Sequence, residues 1–242
     1  MNTALIFAGG VGRRMNSGAV PKQFLEYDGK PIIIHTVEHF DKHPMINTIV
    51  VVMVESWIDT FREQLVKFGI SKVTSVIAGG ATGQESIRLG LYEVERLARE
   101  DNISANEVTV LIHDGVRPLI NEKLITDNIN AVKEFGNAVT VVPSIETVIE
   151  IDDDGDIFKV ADRSIYRLAR APQSFILSDI LEAHRRSLED GTDYIIDSAM
   201  LMRHYGAVLH TVEGPIENIK ITTPMDYIVF KAMADAKRKG EI

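Results

Sequence analysis

Near its amino terminus, this sequence combines glycines with basic side chains in a spacing that could bind phosphate. Gly9, Gly10 and Gly12 directly follow an apolar run, and Arg14 and Lys22 come shortly after them. Glycine lets the main chain pass close to a phosphate and point its N–H groups at the phosphate oxygens, while basic side chains neutralise the phosphate charge. The pattern predicts a site for a polyanion.

The glycines alone leave two interpretations open, because a glycine-rich turn between a first strand and a helix is common in α/β proteins. Their spacing does not fit the dinucleotide pattern G-x-G-x-x-G, and no G-K-[ST] follows them as in a Walker loop. The pair Arg13-Arg14 and the run Pro21-Lys22-Gln23 have no obvious packing role. These residues favour phosphate binding over a purely structural turn.

The composition limits the partners and the chemistry of the chain. Its 26 Lys and Arg stand against 35 Asp and Glu, a formal net charge of -9. This excess of acid argues against a nucleic acid or an acidic membrane surface as the main partner, so a local basic cluster must hold any anionic ligand. The absence of cysteine excludes disulfides and a cysteine nucleophile. No signal peptide and no apolar run of about 18 residues is visible, and we expect a cytoplasmic protein.

Predicted strands and helices alternate along the first part of the chain. Runs rich in β-branched residues predict buried strands, and apolar residues at helical spacing predict amphipathic helices. The predicted strands are residues 4–8, 48–54, 73–77, 108–113 and 138–142, and the predicted helices are residues 31–40, 56–68, 84–100 and about 122–135. This alternation predicts an α/β fold with a doubly wound, mainly parallel sheet and ligands at the carboxyl ends of its strands. The length fits a single domain, residues 1–242, with an extension.

From Pro143 the alternation stops. Residues 144–151 and 157–161 read as two strands joined by an acidic turn, residues 152–156. The turn lacks the spacing and the closing glutamate of an EF-hand, so a solvated hairpin turn is favoured over a calcium site. A protruding hairpin cannot bury both of its faces alone, and a second subunit is the economical candidate to cover it. The pattern predicts a dimerisation β-arm at about residues 143–168.

Four short segments together carry a family resemblance. Residues 8–15 read AGGVGRRM, residues 21–24 read PKQF, residues 113–118 read HDGVRP and residues 218–222 read NIKIT. In these segments the chain resembles the cytidylyltransferases that join CTP to a polyol phosphate. That family includes the 2-C-methyl-D-erythritol 4-phosphate enzymes of isoprenoid synthesis and the D-ribitol 5-phosphate enzymes of wall and capsule polymer synthesis. The resemblance runs almost end to end and implies a Rossmann-like nucleotidyltransferase fold.

The resemblance also implies which residues form the active site. The basic residues expected to act in catalysis are Arg14, Lys22 and Lys220. The residues expected to bind the nucleotide are Ala8, Gly9, Gly10, Gly12, Gly80, Ser86 and Asp114. The residues expected to bind the second substrate are Arg117, Thr147 and Arg163, of which the last two serve the neighbouring subunit of a homodimer.

The implied reaction is attack of a polyol phosphate oxygen on the α-phosphorus of CTP, with release of pyrophosphate. A phosphate monoester is a competent nucleophile at neutral pH, so catalysis needs positioning and charge neutralisation rather than a strong base. Asp114 directly follows a predicted strand, and a nucleotide triphosphate normally arrives with Mg²⁺ bound by one or two carboxylates plus phosphate oxygens. We therefore assign Asp114 to magnesium and give His113 a structural role.

Some positions separate the two branches of the family. The run 55–57 (ESW), Val116 and the spacing between the first two segments look closer to the ribitol-phosphate enzymes. Gly83 stands where the methyl-erythritol enzymes commonly carry arginine, and Ala171 replaces a threonine expected to touch the acceptor phosphate. We favour D-ribitol 5-phosphate as the acceptor, with 2-C-methyl-D-erythritol 4-phosphate as the alternative.

Two other classes of protein remain open on the sequence. A non-catalytic nucleotide-binding protein would keep the glycines but would not need Lys22, Asp114 and Lys220 together, and all three are present. An NAD-dependent oxidoreductase would carry an acidic residue near Glu55 but also the dinucleotide glycine pattern, which is missing. Both alternatives explain fewer of the residues than the cytidylyltransferase does.

Overall fold

Helices and strands alternate along most of the chain. The computed structural model describes residues 1–9, 20–192 and 194–241. In chain order its strands and helices are β1 (Asn2–Ala8), β2 (Glu26–Tyr27), β3 (Lys30–Pro31), α1 (Ile32–Lys42), β4 (Thr48–Met53), α2 (Ile58–Lys67), β5 (Val73–Ala78), α3 (Gly83–Glu100), β6 (Thr109–Asp114), α4 (Glu122–Phe135), β7 (Asn137–Pro143), β8 (Ile149–Ile151), β9 (Ile157–Val160), β10 (Arg167–Ile176), α5 (Leu177–Asp190), α6 (Ser198–His204), β11 (Thr211–Glu213) and α7 (Pro224–Lys239). Within these described residues, we find no helix with the length and apolar character that a membrane crossing requires.

A seven-stranded sheet lies at the centre of the protein, in the order β11-β7-β10-β6-β1-β4-β5. Strand β1 is parallel to both of its neighbours, β4 and β6, and the outer pairs β4–β5 and β7–β11 are also parallel. Strand β10 runs antiparallel to β6 and β7. The predicted α/β fold with a doubly wound, mainly parallel sheet is confirmed.

Strand β4 shows why the sheet is buried on both faces. Successive side chains of a strand point to opposite faces. Ile49 and Val51 join an apolar cluster with side chains of α1, α2 and α4, whereas Val50 and Val52 join a second cluster with side chains of α3, α5 and α6. All six residues of β4 are buried. A continuous β-branched run is what a strand covered by helices on both faces requires.

Helix α3 is held close to the sheet. A Cβ atom at Gly90 would lie 2.4 Å from Cδ1 of Leu5 and 2.8 Å from Cγ2 of Val52, so only glycine permits this approach without displacing the neighbours. The helix begins after Thr82, whose hydroxyl oxygen accepts a hydrogen bond from the backbone N–H of Glu85 at 3.0 Å. The first turn of α3 is thereby fixed against the carboxyl edge of the sheet.

The chain beyond β7 returns to the sheet, contrary to the prediction that the alternation ends at Pro143. The predicted hairpin is present as β8 and β9, but β10, α5 and β11 then continue the α/β pattern. The sequence hides β10 because its first three residues are exposed, and because Pro172, Gln173 and Ser174 interrupt its buried second half. The strand therefore lacks the continuous apolar run that marks the other strands.

The segment around Lys220 is irregular rather than helical or extended. In residues 214–223 the N–H of Asn218 donates to the carbonyl of Pro215 at 3.2 Å. The N–H of Ile221 donates to the carbonyl of Val116 at 3.0 Å. These hydrogen bonds turn the segment towards the end of β6.

Strands β8 and β9 form a two-stranded arm whose residues are all exposed. The acidic turn is closed by the N–H of Asp152, which donates to the carbonyl of Asp156 at 3.0 Å, and by the N–H of Asp156, which donates to Oδ1 of Asp152 at 2.9 Å, as expected of a solvated hairpin turn. Large apolar side chains on the arm face solvent, with Ile151 at 64% and Phe158 at 73% exposure. Isolated two-stranded hairpins are only marginally stable, and the single chain leaves this apolar surface uncovered.

Candidate active site

A cavity of about 260 Å³ lies at the carboxyl edge of the central sheet. Strands β1 and β6 end at this edge, and β10 begins there because it runs antiparallel to them. Three adjacent strands therefore contribute to one site. The lining residues include Phe7, Asp114, Arg117, Arg170, Asp197 and Lys220.

Asp114 is the centre of the charged part of the cavity. One carboxylate oxygen lies 2.6 Å from Nζ of Lys220 and the other lies 2.7 Å from Nε of Arg117. Asp114 is only 5% exposed. Burial by itself would raise the pKa of this carboxyl, but the charges of Lys220 and Arg117 outweigh burial and hold the pKa at about 2. The structure thus brings together the predicted residues Asp114, Arg117 and Lys220.

Asn218 ties this charged group to strand β10. Its side-chain amide donates to the carbonyl of Ala171 at 2.7 Å, and its own carbonyl accepts from Nη1 of Arg117 at 2.8 Å and from Nη1 of Arg170 at 3.3 Å. Asn218 is fully buried. The sequence prediction missed this residue, although it is the first letter of the segment that pointed to Lys220.

Ser86 joins the glycine-rich ends of the sheet. Its hydroxyl accepts a hydrogen bond from the N–H of Gly80 at 3.1 Å and donates to the carbonyl of Thr82 at 2.8 Å. A Cβ at Gly9 would lie 3.3 Å from this hydroxyl, and one at Gly79 would lie 2.9 Å from it. The structure therefore places the predicted residues Gly9, Gly80 and Ser86 side by side, at the ends of β1 and β5 and in the first turn of α3.

The predicted residue Lys22 begins a short turn that is anchored at the end of β1. The adjacent Gln23 is buried and donates from Nε2 to the carbonyl of Ala8 at 2.7 Å. The turn Lys22–Phe24 directly follows Pro21. The buried glutamine thus fixes the position of the lysine backbone relative to the predicted residue Ala8.

The other predicted site residues divide into two sets. Gly10, Gly12 and Arg14 lie outside the described residues. Thr147 and Arg163 lie on or beside the arm, where both are exposed and where Arg163 donates to the carbonyl of Ile145 at 3.3 Å. Neither residue lines the cavity of its own chain.

Gln173 and Asp197 form a wall of the cavity that the sequence prediction did not assign to the site. Nε2 of Gln173 donates to Oδ2 of Asp197 at 3.1 Å, and Oε1 of Gln173 accepts from the N–H of Ala199 at 2.8 Å. Asp197 also caps α6, because Oδ1 accepts from the N–H of Met200 at 2.8 Å. These hydrogen bonds fix the start of α6 against β10.

His113 lies behind the site rather than in it. The residue is fully buried, and burial lowers the pKa of its imidazole to about 3. Nε2 lies 3.3 Å from the carbonyl of Arg117, and the ring packs on Phe40 at a centroid distance of 5.1 Å. A neutral, packed histidine agrees with the structural role given to it.

The donors of the site fit a magnesium ion that arrives with a nucleotide. The described residues contain no group of three histidine, aspartate or glutamate side chains that could hold a metal ion by themselves. Asp114 nevertheless offers one ionised carboxylate, and each of its oxygens has lone-pair capacity beyond the single cation it contacts. One carboxylate with phosphate oxygens and water is a common environment of Mg²⁺.

Comparison with known proteins gives relatives that match over nearly the whole chain. A ribitol-5-phosphate cytidylyltransferase of Streptococcus agalactiae is 51% identical over 242 residues, covering 100% of this chain and 99% of the relative. A 2-C-methyl-D-erythritol 4-phosphate cytidylyltransferase of Syntrophus aciditrophicus is 36% identical, covering 99% of this chain and 97% of the relative. Both similarities span the segments that form the cavity.

A solved structure supports the same grouping. The 4-diphosphocytidyl-2C-methyl-D-erythritol synthase of Anaerococcus prevotii superposes with a TM-score of 0.81 at 26% identity, covering 97% of this chain and 96% of that one. The sequence model of the IspD family, described as 2-C-methyl-D-erythritol 4-phosphate cytidylyltransferase, matches residues 2–235. This chain therefore belongs to the IspD family of cytidylyltransferases, enzymes that transfer CMP from CTP.

Proposed function

We propose that this protein joins CTP and D-ribitol 5-phosphate to give CDP-ribitol and pyrophosphate. The observation that carries the choice of acceptor is the 51% identity to a ribitol-5-phosphate cytidylyltransferase over the full chain, against 36% for a methyl-erythritol relative. On this proposal the product serves wall or capsule polymer synthesis, and the reaction takes place in the cytoplasm, where CTP is made.

The charged group at the end of β6 suits a reaction between two phosphorylated substrates. An oxygen of the acceptor phosphate attacks the α-phosphorus of CTP, and pyrophosphate leaves as that bond forms. Asp114, with a pKa of about 2 and two cationic partners, is a poor proton acceptor at neutral pH. Catalysis therefore depends on positioning the substrates and on neutralising the charge that develops on the phosphates.

Lys220 is placed to neutralise phosphate charge. Asp114 accepts from Nζ at 2.6 Å, while the side chain remains 40% exposed and lines the cavity. An ammonium group has three N–H donors, so donors remain for phosphate oxygens after Asp114 has taken one. The buried carboxylate thus holds the lysine in position without using up its hydrogen-bonding capacity.

The glycine-rich ends supply the binding site for the nucleotide in this proposal. Gly9, Gly80 and Ser86 lie side by side next to the first turn of α3. Helix amino termini favour negative charge, because their first N–H groups have no intrahelical acceptor. Lys22, fixed through its neighbour Gln23, would add positive charge on the same side of the sheet. The family resemblance assigns the same role to Arg14.

Magnesium is part of the proposal. Asp114 would hold the ion, and the ion would supply further neutralisation of the triphosphate. The chain's own cations, Lys220 and Arg117, would then share the phosphate charge while the backbone segment fixed by Asn218 keeps them in place.

A homodimer through the arm is also part of the proposal. The exposed apolar residues of β8 and β9 would be covered by a second copy of this chain. Thr147 and Arg163, which do not line the cavity of their own chain, would then reach the acceptor site of the partner. This arrangement would give a role to two family-matched residues that do not line the cavity of their own chain.

One observation favours a second acceptor, 2-C-methyl-D-erythritol 4-phosphate. The family model that matches residues 2–235 is described by 2-C-methyl-D-erythritol 4-phosphate, not by ribitol phosphate. Pyrophosphate release from CTP should therefore be measured with D-ribitol 5-phosphate, 2-C-methyl-D-erythritol 4-phosphate, arabinitol phosphate and glycerol phosphate. The highest kcat/KM is expected for D-ribitol 5-phosphate, and a higher value for the methyl-erythritol substrate would reverse the assignment.

A variant pair shows whether the described cavity performs the reaction. Lys220→Ala removes the half-exposed cation beside Asp114 and should reduce kcat by about 100-fold or more. Lys123→Ala removes a solvent-exposed lysine of α4 and should leave kcat unchanged. No pyrophosphate release by the unmodified protein with any acceptor would favour a non-catalytic nucleotide-binding protein.

A further inference from the structure

Arg170 approaches the cavity from the side opposite to the glycine-rich ends. In the sheet, β6 lies between β10 and β1, so Asp114 stands in the middle of the edge. Gly9 and Gly80 follow β1 and β5 on one side of Asp114, whereas Arg170 lies on β10 on the other side. The side chain lines the same cavity as Asp114 and Lys220.

No carboxylate in the part of the chain that the structure describes balances the charge of Arg170. Among the described residues it forms no ion pair, and its side chain donates to one main-chain oxygen, the carbonyl of Asn218, at 3.3 Å. Arg117 donates to the same carbonyl at 2.8 Å. Partial burial, followed by the charge of Arg117, lowers the pKa of the Arg170 guanidinium. Two guanidinium groups that share one carbonyl leave most of their donors unused.

The cavity lining carries more positive than negative charge in an otherwise acidic protein. Its cations are Arg117, Arg170 and Lys220, and its carboxylates are Asp114 and Asp197. Asp114 is paired with two of the cations, and Asp197 accepts hydrogen bonds from Gln173 and from the start of α6. The charge of Arg170 is therefore the part of the lining that a bound anion would balance.

The position of Arg170 indicates which of the two substrates would supply this anion. In the proposed function the triphosphate would bind at Gly9, Gly80 and Ser86, which lie on the β1 and β5 side of Asp114. The nucleophile must approach the α-phosphorus from a different direction than the leaving pyrophosphate, and the β10 side of the cavity is open to it. On that side Ala171 has no side-chain donor, so Arg170 is the available phosphate ligand from this stretch of β10.

We propose that Arg170 binds the phosphate group of the polyol phosphate acceptor, an assignment that rests on the proposed cytidylyl transfer. A guanidinium group can donate two parallel hydrogen bonds to two phosphate oxygens, which fixes orientation as well as charge. Arg170 would thus determine that the acceptor is a phosphate monoester and would orient the attacking oxygen.

Steady-state kinetics of Arg170→Ala and Arg170→Lys test this assignment. Losing a charge-assisted contact should raise the KM for D-ribitol 5-phosphate about tenfold to a hundredfold, while the KM for CTP stays within about twofold. Arg170→Lys should recover part of the affinity, because lysine keeps the charge but not the two-pronged geometry. The matched control is Arg62→Ala, an exposed arginine of α2, which should alter neither KM. An unchanged acceptor KM, or an equal rise in both KM values, would overturn the assignment.

A binding measurement separates this assignment from the proposed function. D-ribitol 5-phosphate is titrated calorimetrically into protein saturated with a CTP analogue that has a methylene bridge between the α- and β-phosphorus atoms, so that no turnover is needed. Weaker binding to Arg170→Ala than to wild type, with the thermal unfolding temperature preserved, supports the assignment, and equal binding refutes it. If wild type uses only methyl-erythritol phosphate, the acceptor proposal fails while the same comparison, made with that substrate, still decides the role of Arg170. If wild type transfers no cytidylyl group at all, the proposed function fails and the titration alone decides.

Discussion

The buried carboxylate of Asp114 predicts a pH-dependent contribution to stability. Folding lowers its pKa from 3.8 to about 2, because the charges of Lys220 and Arg117 outweigh the opposing effect of burial. One pKa unit corresponds to about 1.4 kcal/mol, so the ionised carboxylate contributes on the order of 2 kcal/mol to the free energy of unfolding at neutral pH. Asp114→Asn preserves the shape of the side chain and removes this contribution.

The direction of the pH dependence follows from the lowered pKa. The contribution is complete above about pH 5, begins to be lost near the unfolded pKa of 3.8, and disappears as the pH falls through about 2. At pH 3 roughly half of the contribution remains. The difference in unfolding free energy between wild type and Asp114→Asn should therefore shrink by about 1 kcal/mol between pH 7 and pH 3, whatever constant difference the altered hydrogen bonds add.

The assay is urea unfolding at pH 3, 4, 5 and 7, at one protein concentration, followed by the fluorescence of Trp57, the single tryptophan. Asp101→Asn is the matched control, since Asp101 is exposed and ends α3 without an ion pair among the described residues. The control should stay within about 0.5 kcal/mol of wild type at every pH. A difference for Asp114→Asn that does not change with pH would refute the reasoning, because the carboxylate would then be unperturbed by its two cations.

Three further outcomes are expected. Gly90→Ala should destabilise the protein by about 1–3 kcal/mol in urea unfolding, despite the helix propensity of alanine, because its Cβ would lie 2.4 Å from Leu5; equal or greater stability would contradict the close approach of α3. Phe158→Asp places a charge among the exposed apolar residues of the arm and should convert a dimer to a monomer in sedimentation; identical masses for wild type and variant would reject the arm as the interface. Removal of divalent cations with EDTA should stop pyrophosphate release and added MgCl₂ should restore it, whereas full activity in EDTA would reject the magnesium assignment.

The sequence was sufficient for the parts of the fold that burial determines directly. Strand β4 is apolar throughout because helices cover both faces of the sheet, and its residues, 48–53, agree closely with the predicted 48–54. Asp114 could be placed at a strand end because it comes after the buried apolar run of β6, of which it is the last residue. The convergence of Lys220 on Asp114 came from the resemblance, because no local pattern relates two residues so far apart in the chain.

The parts that the sequence did not predict depend on contacts between distant segments. Asn218 acts partly through its main-chain carbonyl, which accepts hydrogen bonds from Arg117 and Arg170. Every residue has such a carbonyl, so the residue type does not predict this role. Arg170 lies in the exposed half of β10, where a basic residue reads as an ordinary surface side chain. The irregular backbone around Lys220 is likewise set by its hydrogen bonds to the end of β6, not by its own alternating isoleucines.

A protein with a net charge of -9 can bind two polyanions only if it concentrates positive charge locally. Asp114 makes this possible, because one buried carboxylate holds Lys220 and Arg117 side by side at the middle of the sheet edge, where their mutual repulsion would otherwise separate them. Each cation keeps hydrogen-bond donors for a ligand. In the proposed reaction this central pair of cations would lie between the nucleotide and the phosphate bound by Arg170, where both substrates could use it.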